Sequence, residues 1–194
     1  MRRLHRLAVL FASALALSGC TLVSTSSSPT LVGSNDVPLG LLDSTIPFTV
    51  DARVLWVTRE VDMVNHAQKV VPVKRLMTSP PTLAEVLYYF VLGPTVNEQS
   101  QGITTQVPTA ATMAVNSARI RNGVAHVDIS YDLKKIPPVG RRIAVAQFLF
   151  TAEALGAAKG IEISINQTPF SLQLANGNSV TLITPPELAY LKQG

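Results

Sequence analysis

The residues best suited to chemistry stand close together: His126, Asp128 and Ser130 alternate within Ala125-His126-Val127-Asp128-Ile129-Ser130. A hydroxyl nucleophile, an imidazole base and a carboxylate are the parts of a hydrolytic triad, and alternate residues of a strand share one face. The spacing opposes that chemistry. Positions two apart on a strand are separated by roughly 6.6 Å of rise, whereas a triad needs successive hydrogen bonds of about 2.6–3.2 Å. Ser130 also lacks a Gly-x-Ser-x-Gly elbow and a glycine-rich oxyanion loop. The expectation is a polar sheet face or strand end, with no catalytic residue assigned. Asp128 and Asp132 straddle a strand end, where turn capping is a simpler role than acid–base pairing. His66 and His126 have no ligand-spaced His or Cys partner, so no metal and no cofactor is expected.

The remaining reactive group is Cys20. Arg2, Arg3 and Arg6 precede an apolar run from Leu7 to Leu17, the charged and hydrophobic regions of a secretory signal. The run is shorter than the roughly 20 residues that cross a bilayer. It ends in Leu17-Ser18-Gly19-Cys20, which resembles a bacterial lipobox. That resemblance implies cleavage before Cys20 and a diacylglyceryl group on its thiol, with acyl chains (palmitate, for example) seated in membrane lipid. Two chains hold stably where one is marginal, at about 0.8 kcal/mol per buried CH₂. The expected location is the cell membrane, lipid-anchored, on its extracytoplasmic face.

Composition narrows the rest. A length of 194 residues suits one domain with extensions, and 47% hydrophobic against 14% charged residues excludes a disordered polyelectrolyte. The formal charge of +4 is local: without Arg2, Arg3 and Arg6, the 16 basic residues stand almost level with the 12 acidic ones. A near-neutral mature chain lacks the basic face that nucleic acid binding needs. One cysteine excludes an internal disulfide and a Cys-based zinc cluster.

The expected organisation is a signal over 1–19, the lipidated cysteine and a Ser/Thr/Gly/Pro-rich linker over 20–49, and a domain over 50–190. Within the domain, Arg53–Val61 and Val70–Met77 read as strands, with Pro72 placing the second at an edge. Thr82-Leu83-Ala84-Glu85 is a capping box opening a helix whose apolar stripe is Leu83, Val86, Leu87, Phe90 and Val91. Ala111–Arg119 and Val124–Ser130 form a hairpin over Asn122-Gly123. A second helix over Arg141–Lys159 carries Val145, Phe148, Leu149, Ala152 and Leu155 on one face, with Gly160 as its cap. Ile161–Asn166, Phe170–Leu174 and Ser179–Ile183 close the chain as short strands. The fold class is α/β in the α+β sense: a small mixed, mainly antiparallel sheet with two helices packed on one face.

Six segments in order resemble a GerMN domain, the module of sporulation and spore germination proteins, in its actinobacterial single-domain form. They are Val71-Pro72-Val73-Lys74-Arg75; Gly93-Pro94 followed by Glu98; Gly102 to Pro108; Gly123 to Ser130 with Asp128; Gln147 to Thr151; and the tail from Asn176-Gly177 to Tyr190. Ile165-Asn166-Gln167-Thr168 departs from the Asp-Gly or Asn-Gly turn usual there. The resemblance implies a compact domain related to ring-building modules, with no enzyme activity, that acts by contacting other proteins. It marks Pro72, Arg75, Gly93, Pro94, Glu98, Asp128, Gln147 and Thr151 as positions for structure or partner contact, with Arg75 and Glu98 expected as a structural ion pair or, alternatively, as a partner contact.

The resulting expectation is a non-catalytic, lipid-anchored interaction domain that supports or regulates an envelope protein complex, with small-ligand or cell-wall binding as the alternative. Its partners are membrane lipid through Cys20 and envelope protein, with homo-oligomerisation left open. Trp56, Tyr88 and Tyr89 could form a contact patch or be buried in the core. Lys134, Lys135, Arg141 and Arg142 bracket a loop that is either solvated or set against an anionic surface.

Overall fold

The computed structural model describes residues 50–62, 64–78 and 81–193; the expected signal with Leu17, Ser18 and Gly19, Cys20 and the expected linker lie outside the described residues. The first described elements are a long antiparallel hairpin of β1 (Val50–Asp62) and β2 (Ala67–Thr78), in register from Val50 opposite Thr78 through Trp56 opposite Pro72. Both strands run longer than expected. At the turn the Asp62 carboxylate accepts the N–H groups of Val64 and Asn65 at 2.9 and 3.1 Å, and His66 adopts φ +50°.

Helix α1 (Leu83–Val91) opens with the expected capping box and buries the expected stripe of Leu83, Val86, Leu87, Phe90 and Val91. Gly93 ends it with φ +83°, a left-handed conformation that glycine adopts without Cβ strain. A second capping box, Thr95 with Glu98, then starts the one-turn helix α2 (Val96–Ser100). Strand β3 (Ile103–Thr104) pairs with Thr58 and Arg59 of β1, giving a sheet ordered β2-β1-β3. Pro72 thus sits on an outer strand, where its missing N–H breaks no ladder.

β4 (Val115–Arg121) starts later than expected, because Thr112 and Met113 donate to the Thr109 carbonyl in a turn. It pairs antiparallel with β5 (Val124–Ile129) across Asn122 and Gly123, both at positive φ. A 3-10 turn (Leu133–Lys135) and helix α3 (Pro138–Glu153) carry the chain to β6 (Gly160–Ile165), which runs parallel to β5. The short strands β7 (Thr168–Pro169), β8 (Leu172–Gln173), β9 (Ser179–Val180) and β10 (Leu182–Ile183) follow, then helix α4 (Pro185–Leu188). The larger sheet is ordered β10-β6-β5-β4, with β7 on β6, while β8 and β9 form a separate ribbon.

α3 differs from its expected bounds. It starts at Pro138, whose fixed φ suits the first helical position, and stops at Glu153 ahead of Gly156 at φ +106°. Gly160 is the first residue of β6 and not the cap; at φ +135° a Cβ there would strike the Ile183 carbonyl oxygen. The helix also buries more than one stripe, since Ile143 through Ala152 are all buried. It packs against β6 of the larger sheet and against β1 and β2 of the hairpin, so few of its faces meet water. Both helices cover the inner face of the larger sheet, where Ala125, Val127, Ile161 and Ile163 join Phe90 and Phe148 in the core. The two phenyl rings meet edge to face at 5.2 Å.

After α4 the chain returns to the hairpin. Gln193 donates to the Val70 carbonyl at 3.0 Å. The Lys192 ammonium stands 4.9 Å from the Trp56 ring and 4.8 Å from that of Phe150, and pairs with Glu153 at 3.1 Å.

Candidate functional site

The outer face of the larger sheet carries the residues with chemical capacity. Register sets Arg119, His126 and Glu162 in one cross-strand row and Ser117, Asp128 and Ser164 in the next, and a groove of about 380 Å³ runs over them. The three candidate triad residues turn to different partners. His126 Nδ1 meets Glu162 Oε2 at 3.0 Å. Asp128 accepts from Ser164 Oγ at 2.6 Å, the Gln167 N–H at 2.7 Å and Asn116 Nδ2 at 2.9 Å. Ser130 Oγ accepts the Ala114 N–H at 2.8 Å. Asp132 caps the following turn by accepting the Lys134 N–H.

Burial acts to raise the Asp128 carboxyl, but the bonds from Ser164, Gln167 and Asn116 outweigh it and hold the group below its ordinary range. One of those bonds explains how the unusual turn is kept. Ile165 pairs with Thr168, so Asn166 and Gln167 form a two-residue loop with φ +48° and +68°. Such a turn favours glycine at its second position. Here a glutamine occupies it, and Asp128 grips its N–H.

The positions marked by resemblance fall into two assemblies. In the first, Arg75 Nε and Nη2 donate to Glu98 Oε1 and Oε2 at 3.0 and 2.5 Å. The same guanidinium donates to the carbonyls of Tyr89 and Gly93 at 3.2 and 3.1 Å. It therefore satisfies the carbonyl end of α1, which has no basic residue in its last turn. Gly93 and Pro94 make the corner, and Glu98 also accepts the Thr95 N–H. Burial raises the Glu98 carboxyl, while Arg75 and Thr95 together hold it below its usual range.

The second assembly fixes α3 to the stretch of β1 that the short β3 does not reach. Thr151 Oγ1 accepts the Trp56 N–H at 3.0 Å, and Gln147 Nε2 donates to the Trp56 carbonyl at 3.2 Å. Gln147 Oε1 accepts from Thr58 Oγ1 at 3.0 Å and from the Gln106 N–H at 2.9 Å. Residues four apart on a helix share a face, so Gln147 and Thr151 close main-chain groups that no strand reaches.

Aromatic residues divide between interior and surface. Trp56 is half-buried against Phe150, with ring centroids 5.5 Å apart. Tyr88 and Tyr89 are 58% and 46% exposed and meet edge to face, with Leu92 exposed beside them in sequence and Val96 further on. The two tyrosines also border a groove of about 360 Å³ with Met77, Pro81, Ala84 and Glu85. In the basic loop, Arg141 is held internally by the carbonyls of Leu133, Lys134 and Ile136, while Lys134 and Lys135 are exposed.

Asn116, Ser164, Thr58 and Gln106 were not singled out by sequence reasoning. Ser164 and Asn116 face Asp128 only through strand register; Thr95-x-x-Glu98 did carry a legible capping signal. Among the described residues, no three His, Cys, Asp or Glu side chains gather as metal ligands, and no helix is long and apolar enough to cross a membrane.

This mixed α+β arrangement, with helices on the inner face of the larger sheet, defines the class of domain, and comparison gives the family. The sequence profile of the Germane family, described as sporulation and spore germination, matches residues 54–170, and the chain belongs to that family. The tandem GerMN domains of the sporulation protein GerM from Bacillus subtilis align with a TM-score of 0.53 at 14% identity, covering 71% of this chain and 47% of that one. The first GerMN domain of GerM alone gives 0.49 at 15% identity, covering 70% and 98%. This chain spans about half the length of the tandem-domain chain, and the likeness is one of fold. A comparison with curated protein sequences returns no match.

Proposed function

We propose that this chain is a lipid-anchored, extracytoplasmic, non-catalytic interaction domain that supports or regulates an envelope protein complex. The observation that carries the reading is the contrast between its polar and apolar side chains. Asp128, Ser130, Arg75, Glu98 and Gln147 are committed to bonds within the fold, whereas Tyr88, Tyr89 and Leu92 stand in solvent at the end of α1. Exposed aromatics of this kind are the residues that dominate protein–protein contacts. Membership of the Germane family supports the reading, and the lipobox supplies the anchor. Small-ligand or wall-polymer binding is the second reading, favoured by the groove over Arg119 and His126.

The test places a photo-activatable benzophenone amino acid at position 88 or 89 of the full-length protein in its native membrane. A discrete protein adduct formed by the anchored form and lost in Cys20→Ala is the expected result. Recovery of lipid or glycan alone, with no protein adduct, would overturn it in favour of the second reading.

A further inference from the structure

The terminal strand of the larger sheet has an open side. β4 pairs with β5 alone, and no backbone group of Val115–Arg121 bonds to any other described segment. Beyond an irregularity between Val115 and Ser117, the strand keeps regular register from Ser117 opposite Asp128 to Arg121 opposite Val124. Open edges of this kind are templates for strand addition unless something blunts them.

The charges that β4 itself carries are of one sign, and Asp128 on the neighbouring strand is already held by Asn116, Ser164 and Gln167. Ala118 and Ile120 pack inward against the core, so Ser117, Arg119 and Arg121 project from the outer face. Arg119 and Arg121 are exposed and take part in no ion pair among the described residues. Lys159 adds a third cation, lying against Gly123 at the hairpin turn. The nearby Glu162 is already engaged by His126.

These features select an occupant. A second copy pairing β4 with β4 would set Arg119 and Arg121 against like charges on one face, which is destabilising. An incoming strand with acidic residues at alternate positions would set them about 4.5–5.5 Å from the arginine row. Its other residues, if apolar and β-branched, would extend the layer begun by Ala118 and Ile120. We propose that the β4 edge receives an extended segment of a partner protein in which acidic and apolar residues alternate, added to the sheet as a further strand. Main-chain bonds supply the affinity and the arginines the selectivity. This goes beyond the reading above, because it concerns a different surface from the tyrosine pair.

The probe is a fluorescein-labelled Thr-Glu-Val-Glu-Val-Glu-Thr peptide, titrated by anisotropy against the full-length protein in zwitterionic detergent micelles. Saturable binding is expected, weakened at least tenfold by Arg119→Glu with Arg121→Glu and abolished when alternate peptide nitrogens are methylated. Arg119→Ser with Arg121→Ser serves as a second variant should charge reversal unfold the domain. Absence of saturable binding, equal binding of the methylated peptide, or equal binding of the peptide with lysine for glutamate would each overturn the proposal. A protein adduct at position 88 alongside peptide failure would sink the edge proposal alone and leave the interaction reading standing.

Discussion

Arg75 and Glu98 meet as a two-pronged ion pair that joins the hairpin to the corner between α1 and α2, with side chains only 15% and 13% exposed. Two parallel bonds give such a pair a fixed orientation as well as energy. Removing one partner of a pair shielded from water leaves the other charge uncompensated, at a cost of about 3–5 kcal/mol when fully buried. For this partly exposed pair, Arg75→Met is expected to lose about 2 kcal/mol, read from the midpoint of urea unfolding at constant m.

Acid should report the same pair. The Glu98 carboxyl lies below its ordinary value of 4.5 in the folded chain and returns to it on unfolding. Its contribution is therefore complete above pH 4.5 and is lost as pH falls through the depressed folded value. The stability gap between wild type and Glu98→Gln is expected to narrow below pH 4.5 in unfolding curves taken at stepped pH. A gap independent of pH would contradict the assignment.

The turn at Asn166 and Gln167 stores strain of about 1–2 kcal/mol at a non-glycine residue in the left-handed region. Gln167→Gly is expected to raise stability by up to about 1 kcal/mol after the added freedom of the unfolded chain is counted. Asp128→Ala should cost about 1–3 kcal/mol, because it orphans the Gln167 N–H and the Ser164 hydroxyl. Calorimetry of both variants and their combination should show the Asp128→Ala cost retained in the Gln167→Gly background, since Asp128 bonds the main-chain N–H of residue 167, which glycine keeps.

Gln147→Leu and Thr151→Val keep much of the volume of the side chains they replace while removing the groups that close the Trp56 main chain. Each is expected to lose about 1–3 kcal/mol, the cost of stranding a buried polar group. Hydrogen exchange should find the Trp56 amide much less protected in Thr151→Val, with β4 and β5 unaffected.

Tyr88→Ser combined with Tyr89→Ser should leave thermal stability within about 0.5 kcal/mol of wild type, as surface changes do. The same variant is expected to lose the protein adduct formed by a benzophenone group placed at Leu92. An unchanged adduct would remove the tyrosines from the contact.

α1 was legible in full because capping, stripe and glycine stop coincide within Thr82–Gly93. α2 was not, although Thr95 and Glu98 repeat the same box, because its five residues bury nothing and so carry no apolar period. α3 lost its boundaries for the opposite reason: ten consecutive buried residues leave no polar face to mark its phase. Strands of two residues, such as β3 and β7, fall below what alternation can signal. At the candidate site, the Arg75–Glu98 ion pair was legible from the motif positions, whereas the main-chain partners of Arg75 and Gln147 stayed hidden. A carbonyl freed at a helix end or a strand edge depends on packing between distant segments, which residue types alone do not encode.

The return of the chain to Val70 also sets an order of events. Synthesis delivers β1 and β2 first, yet the cover over Trp56 and the bond to the Val70 carbonyl come from Lys192 and Gln193. Until those residues emerge, the early hairpin must wait with its edge open, exposed to capture by a neighbouring chain. Closure of the domain is therefore tied to the arrival of Lys192 and Gln193, and a chain shortened before Lys192 would leave the Trp56 ring and the Val70 carbonyl uncovered.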